Sequence, residues 1–246
     1  MKILVDTHAH TIGSTHAFST VHDYLTVAKQ RGLEAFAITD HGVAMPDSPH
    51  LYHFINMKIF PRSVDGIVIF RGMEANILNE NGDLDVEEPL LSKLDWIIAS
   101  FHEPVFPPST KAAHTNALIG AIESGRCQVI GHPGNPNFPF DYEAVIEAAV
   151  ANNVAIEVNN SSFLESRHGS EPNCIAILEV AQRLNAKISI ATDSHISFQL
   201  GDFTQSLKAV ERVGIDEANI VNVNLGRFVE FLSLHHKSVV QALSKQ

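Results

Sequence analysis

The chain has little of what a cross-linked, membrane-bound or nucleic-acid-gripping protein needs. Cysteine is nearly missing: Cys127 and Cys174 are the two in 246 residues. That excludes a disulfide framework and a thiolate metal cluster, so any metal must be held by nitrogen and oxygen, and a reducing, cytoplasmic setting is expected. No apolar run approaches the ~18 residues of a membrane-spanning helix. The first apolar stretch, Ile3 to Val5, stops at Asp6, so neither a signal peptide nor a membrane anchor is expected. Basic residues are scarce as well. Lys and Arg number 17 against 28 Asp and Glu, a net charge of −11, which is the wrong sign for gripping duplex phosphates. A glycine-rich phosphate loop is also lacking, because Gly72-Met73-Glu74 and Gly131-His132-Pro133-Gly134 have neither the Walker spacing nor its lysine. With no Ser/Gly linker, charge run or low-complexity tract, one domain over residues 1–246 is expected.

What the chain does have is alternation. Short β-branched or apolar runs alternate with amphipathic segments, the pattern of repeated strand and helix units around a parallel sheet. Strands are predicted at 3–6, 35–39, 66–74, 96–99, 128–130, 155–158 and 187–191. Helices are predicted at 20–31, closed by Gly32, and at 51–60, 111–124, 142–152, 174–184 with Pro172 near its start, 205–213 and 225–234. A hairpin is expected over 76–86, turning at Asn81-Gly82, and a short stretch at 219–221 precedes the last helix. Seven such units predict an α/β fold, a closed or nearly closed TIM-like barrel of parallel strands.

Histidine is the excess, at 14 of 246 residues, and its placement is not random. In such barrels the chemistry sits at the C-terminal ends of the strands. His8 and His10 follow the first strand on one face, with His16 six residues on. The second strand ends in Asp40-His41, the third in Glu74, the fourth in His102, the fifth in His132 and the seventh in Asp193-Ser194-His195. Taken singly, each is a polar residue at a loop mouth. Six of seven strands ending in a metal-ligand type is a constellation. Seven histidines and two carboxylates exceed the four ligands of one tetrahedral ion. One bridging carboxylate would let them serve two or three, and imidazole-rich ligation favours zinc, with manganese, iron or cobalt able to stand in. His22, His50, His53, His114, His168, His235 and His236 are assigned structural roles.

The set His8-x-His10, His16, Thr39-Asp40-His41-Gly42, Glu74, His102, Gly131-His132-Pro133 and Asp193-x-His195 resembles the PHP (polymerase and histidinol phosphatase) superfamily. Within it, the strings 38–42, 101–106, 132–136 and 159–163 resemble the YcdX-type zinc phosphatases, over Lys2 to about Leu232. The resemblance implies a distorted barrel of seven β/α units holding three zinc ions. His8, His10, Glu74 and Asp193 would hold the first, Glu74, His102 and His132 the second, and His16, His41 and His195 the third. Glu74 would be the bridge. It further implies a homo-oligomer, with a trimer as one form.

Three divalent ions would outweigh Glu74 and Asp193 in charge and invert the local field, so an acidic protein can hold a phosphate dianion. They would also make hydroxide available from bound water near neutral pH. The expected activity is hydrolysis of a small phosphorylated metabolite, with Glu74 and Asp193 as catalytic carboxylates. Arg167, in the loop after the sixth strand, is expected to grip the phosphate through its paired donors. Phe18, Phe101, Phe106, Phe138 and Phe163 could wall the rest of the substrate, or could equally be core. The alternatives are a nuclease or phosphodiesterase, disfavoured by the charge, an amidohydrolase-like enzyme, which often carries a lysine where this chain has His102, and a non-catalytic zinc protein.

Overall fold

Seven short apolar runs pair in parallel and curl round an axis: β1 (Val5–Asp6), β2 (Ala35–Ile38), β4 (Ile67–Asn76), β5 (Trp96–Ser100), β6 (Val129–Ile130), β7 (Ala155–Asn159) and β8 (Ile188–Ala191). The structure, a computed structural model, describes residues 1–235. Against β4 lies one antiparallel addition the sequence did not signal, the two-residue β3 (Ser63–Val64). Helices α1 (Val21–Arg31), α3 (Lys111–Glu123), α4 (Tyr142–Ala151), α5 (Glu171–Arg183) and α6 (Thr204–Val213) alternate with the strands. Local chemistry sets their ends. Thr20 and Asp23 form a reciprocal capping box at the start of α1, and Gly32 ends it in the left-handed conformation, φ 65°.

Two predicted elements are corrected. The helix expected over 51–60 is α only from Leu51 to Asn56 (α2), and then tightens to a 3₁₀ turn over Met57–Ile59. Phe60 precedes Pro61, whose ring disfavours helical backbone in the residue before it, and Phe60 is extended at ψ 129°. The hairpin at 76–86 turns back as expected but is too short to make two strands: it is held by the antiparallel bridge Ile77 to Leu84 and by Leu78 N to Asp83 O (2.8 Å) and Asp85 N to Asn76 O (3.3 Å). Its Gly82 has φ 79° and lies against α3 so closely that a Cβ would come 2.2 Å from the Ala121 nitrogen.

Side-chain alternation along the strands makes two apolar layers. One lies between the sheet and the outer helices, where Phe36, Ile69, Ile97, Leu118, Ile146 and Leu178 are buried. The other fills the lower barrel with Val5, Ala37, Phe70, Trp96, Ile98, Val129 and Ala155. The last helix, α7 (Leu225–Ser233), plugs this end: Phe70 and Trp96 meet the Phe228 ring edge-on at 4.9 and 5.0 Å.

The seam between β8 and β1 closes by other means than a full ladder. Above, Ala9 bridges Ser194, with His10 N donating to Ser194 O at 2.9 Å. Below, the Asn222 side-chain amide replaces a strand residue. Its Nδ2 donates to Val5 O (2.8 Å) and Ile190 O (2.6 Å), while its Oδ1 accepts from Ile190 N (3.0 Å). Asp6 adds to the seam, accepting from Thr192 Oγ1 and from the nitrogens of Thr192 and Gly201. Strand ends carrying the ligand-type residues are thereby fixed round one mouth.

Candidate metal centre

The innermost group comes from β1, β4 and β8. His8 Nε2 and His10 Nε2 are 3.0 Å apart. Glu74 Oε2 lies 3.4 and 3.5 Å from them, and Asp193 Oδ1 lies 3.5 and 3.1 Å from them. These separations fit four ligands about one tetrahedral ion whose bonds are about 2.0–2.2 Å long. Burial opposes a charge on His8, yet Glu157, Asp193 and Glu74 hold its pKa well above the ordinary histidine value. His10 is driven well below by its own burial and by His195 and His41, so it is a neutral imidazole suited to ligation. Despite burial, Glu74 stays ionised beside His102, His8 and His41, and Asp193 does so beside His8 and Arg167.

A second group forms on the other oxygen of the same glutamate. Glu74 Oε1 lies 2.7 Å from His132 Nε2 and 3.3 Å from His102 Nε2, so Glu74 stands between two clusters. Outward of these, ligand atoms of His10, His41 and His195 lie within 4.8 Å of one another. His41 Nδ1 approaches Glu74 Oε2 to 2.9 Å without the geometry of a hydrogen bond. Of the predicted set, His132 and His16 fall outside the three compact groups, although His132 Nε2 lies 2.7 Å from Glu74 Oε1. The His16 ring stacks on His195 (4.5 Å) and His41 (5.1 Å), and its Nδ1 turns to Asp47 at the exposed rim.

These atoms fit metal ions by what they lack. Glu74 Oε2, Asp193 Oδ1, His102 Nε2 and both ring nitrogens of His41 are buried with no hydrogen-bond partner among the described residues. An unpaired buried polar group costs about 1–3 kcal/mol, and a cation at their common centre is the group that satisfies them together. Two of the predicted ligand residues also have left-handed backbone, His132 at φ 29° and Asp193 at φ 55°. That conformation is uncommon outside glycine and here turns each side chain into the mouth.

Above the cluster opens a cavity of about 380 Å³, lined in part by His16, His41, Met45, His102, Arg167 and His195. Arg167 reaches it from the loop after β7. One guanidinium nitrogen, Nη2, donates to Asp193 Oδ2 at 2.7 Å, and the other, Nη1, is buried without a hydrogen-bond partner among the described residues.

A profile of the PHP domain matches residues 6–161. The chain belongs to the PHP domain family. Full-length relatives agree. A protein of Shewanella sediminis named "Probable phosphatase" is 52% identical over 240 residues, covering 97% of this chain and 98% of its own length. An Enterobacter protein, also named a probable phosphatase, is 51% identical over 228 residues, 93% of each chain. In fold, this PHP domain is similar to histidinol phosphate phosphatase of Lactococcus lactis, solved with zinc, L-histidinol and phosphate. The TM-score is 0.58 at 17% identity, over 88% of this chain and 95% of that one.

Around the centre this PHP domain carries supports that the sequence analysis missed. Glu157 of β7, the strand without a ligand, accepts from His8 Nδ1 (2.7 Å), His132 N (2.7 Å) and Asn159 Nδ2 (3.0 Å). A carboxylate behind a ligand histidine fixes its tautomer and strengthens it as a donor. The available signal was a glutamate inside the apolar run Ala155-Ile156-Glu157-Val158. Asn76 Oδ1 orients His102 through Nδ1 (2.8 Å), and Asp85 of the 76–86 loop in turn holds Asn76. Asp40 gathers Thr11, Ser14 and His53.

Other expectations sort cleanly. His114 is buried in hydrogen bonds to Ser109 N and Pro139 O, His50 caps α2, and His235 bonds Asn153 O. His22 and His168 are exposed, and His236 lies outside the described residues. Of the aromatics that could wall the substrate or be core, Phe101, Phe106 and Phe138 are core: they pack on one another and on His114. Phe18 stands 74% exposed, and Phe163 packs part-buried against the core.

Proposed function

We propose that the protein is a metal-dependent phosphatase that hydrolyses a small phosphomonoester at a three-ion, zinc-type centre. The observation that carries this reading is the convergence of buried, unpartnered carboxylate and imidazole atoms beneath a cavity that also receives an arginine. The 52% identical relative named as a probable phosphatase supports the same activity. His8, His10, Glu74 and Asp193 would hold one ion, Glu74, His102 and His132 a second, and His41, His195 and His16 a third. Divalent ions held there would supply positive charge to a phosphate and make hydroxide available near neutral pH. An all-nitrogen and oxygen ligand set rich in imidazole suits zinc, and also manganese, iron or cobalt.

The chain's own residues do the rest. Glu74 and Asp193, ionised despite burial, would offset the repulsion between cations held there. Arg167 lines the cavity while its Nη2 stays on Asp193, and this guanidinium beside the ligands would supply charge and donors to a phosphate. The cavity of about 380 Å³ suits a small metabolite and excludes a duplex. The test is phosphate release from monoesters, diesters, single-stranded oligonucleotides and cyclic amides, with metal content measured on the same sample. Monoesters should be hydrolysed by the metal-loaded protein. Activity confined to diesters or amides, or a protein that binds no metal, would overturn the reading. Arg167→Ala should lower kcat/KM for monoesters about 10-fold or more with metal content unchanged, as expected for loss of a charge-assisted bond of about 1.5–3 kcal/mol.

A further inference from the structure

The three ligand groups differ in how completely the fold assembles them. The ligand atoms of His8 and His10 already stand 3.0 Å from each other and 3.1–3.5 Å from those of Glu74 and Asp193, their side chains are buried, and Glu157 braces His8 from behind. His16 has half its side chain in solvent, 50% exposed, and belongs to none of the compact groups. What holds it is Asp47. The Nδ1–H of His16 donates to Asp47 Oδ2, and the Asp47 carbonyl accepts from Thr15 N at 3.1 Å. Asp47 lies in an irregular loop over 42–50 with no strand or helix of its own. A tie at Ala44, whose nitrogen donates to Asp85 Oδ2 at 2.9 Å, fastens that loop.

A ligand held ready by buried neighbours loses little freedom when its ion binds. A half-exposed histidine must be ordered at that moment, and the ordering opposes binding. Beside the stacking of its ring on His195 and His41, the hydrogen bond that limits this loss among the described residues is the one to Asp47. With Nδ1 committed to the carboxylate, the Nε2 lone pair is left free, and the imidazole becomes a stronger donor.

We propose that Asp47 is the positioning residue for His16, and that the outer site the pair completes is the last to take up its ion and the first to release it. Occupancy of that site then sets the fraction of active protein when the metal is limiting, while the two inner ions remain in place. The proposal rests on the metal-centre reading above, and its test separates the two.

Metal-free full-length protein is titrated with zinc against a chromophoric chelator, and in parallel with Co²⁺, whose visible absorption reports ligand geometry. Wild type should bind two equivalents tightly and a third at least about 10-fold more weakly. Asp47→Ala should weaken the third step alone by about 10–100-fold, the usual effect of losing a carboxylate behind a ligand histidine, and should alter only the last increment of the Co²⁺ spectrum. Asp47→Asn keeps an acceptor oxygen for Nδ1–H and should fall between. Three steps of equal affinity, a wild-type third step in Asp47→Ala, or an equal weakening of all three steps would overturn the proposal and leave the metal centre standing. A chain that binds no zinc or cobalt would overturn the metal centre, and the proposal with it.

Discussion

The lower and upper halves of the barrel interior are built on the same strands and have opposite chemistry. On β4, Val68 and Phe70 belong to the apolar lower core, and two positions on from Gly72 comes Glu74, in contact with five histidines. On β7, Ala155 is below and Glu157 above. The tier between is small or lightly polar. Gly72 and Gly131 have no room for a Cβ, which would fall 2.8 Å from Trp96 O and 2.1 Å from Ser100 Oγ, and Thr7, just past β1, bonds Ser189 of β8 at 2.8 Å. The lesson is that stability and chemistry are separated along the strands by one two-residue repeat on β7, about 6.6 Å, and by two on β4, so each half should fail in its own way.

The largest effect is expected where both inner groups share one side chain. Glu74→Gln removes a charge that faces two clusters and should lower turnover on the order of 10³-fold, about 4 kcal/mol of charge stabilisation, with loss of bound metal. Paired turnover and metal analysis check this, and near-normal turnover with a full metal complement would remove Glu74 from its bridging place. In the lower half the converse holds. Phe228→Ala empties the plug beneath Trp96 and Phe70 and should cost about 3–5 kcal/mol of stability, read by denaturant unfolding. Metal stoichiometry of the folded fraction should stay as in wild type, and a change there would mean the halves are coupled. Chelation should have the mildest structural effect. The apolar core remains, so far-UV circular dichroism should be kept while Tm falls by about 5–10 °C, the loss of a few kcal/mol of ligand linkage. Unfolding at room temperature on chelation would break the comparison.

The two halves were also unequally legible. Ligand-type residues at strand ends stand out because His8-x-His10 and Asp193-x-His195 are rare pairs at positions that strand periodicity identifies. Their convergence on one mouth followed from the expected parallel barrel. Supports such as Glu157, Asn76, Asp85 and Asp47 read as ordinary polar residues, since their role depends on which distant ring they face. In the lower half, the amphipathic pattern announced α7 but not its place under the barrel, because a helix's apolar face does not name its partner. The Phe101, Phe106 and Phe138 rings were ambiguous for the same reason. Asp47 lies 31 residues from His16, and no spacing rule links them.

The Asn222 amide at the seam bears on the order in which the chain is made. Strand β1 is synthesised first, yet Val5 gains its partner across the closing gap only from residue 222, near the far end of the chain. The upper seam beside His8 can close only once Thr192 and Ser194 have been made, and the lower seam stays open until residue 222 leaves the ribosome. Partly synthesised chains therefore expose an unpaired strand edge for most of their time in translation, and the ligand cluster is completed among the last parts of the protein to form.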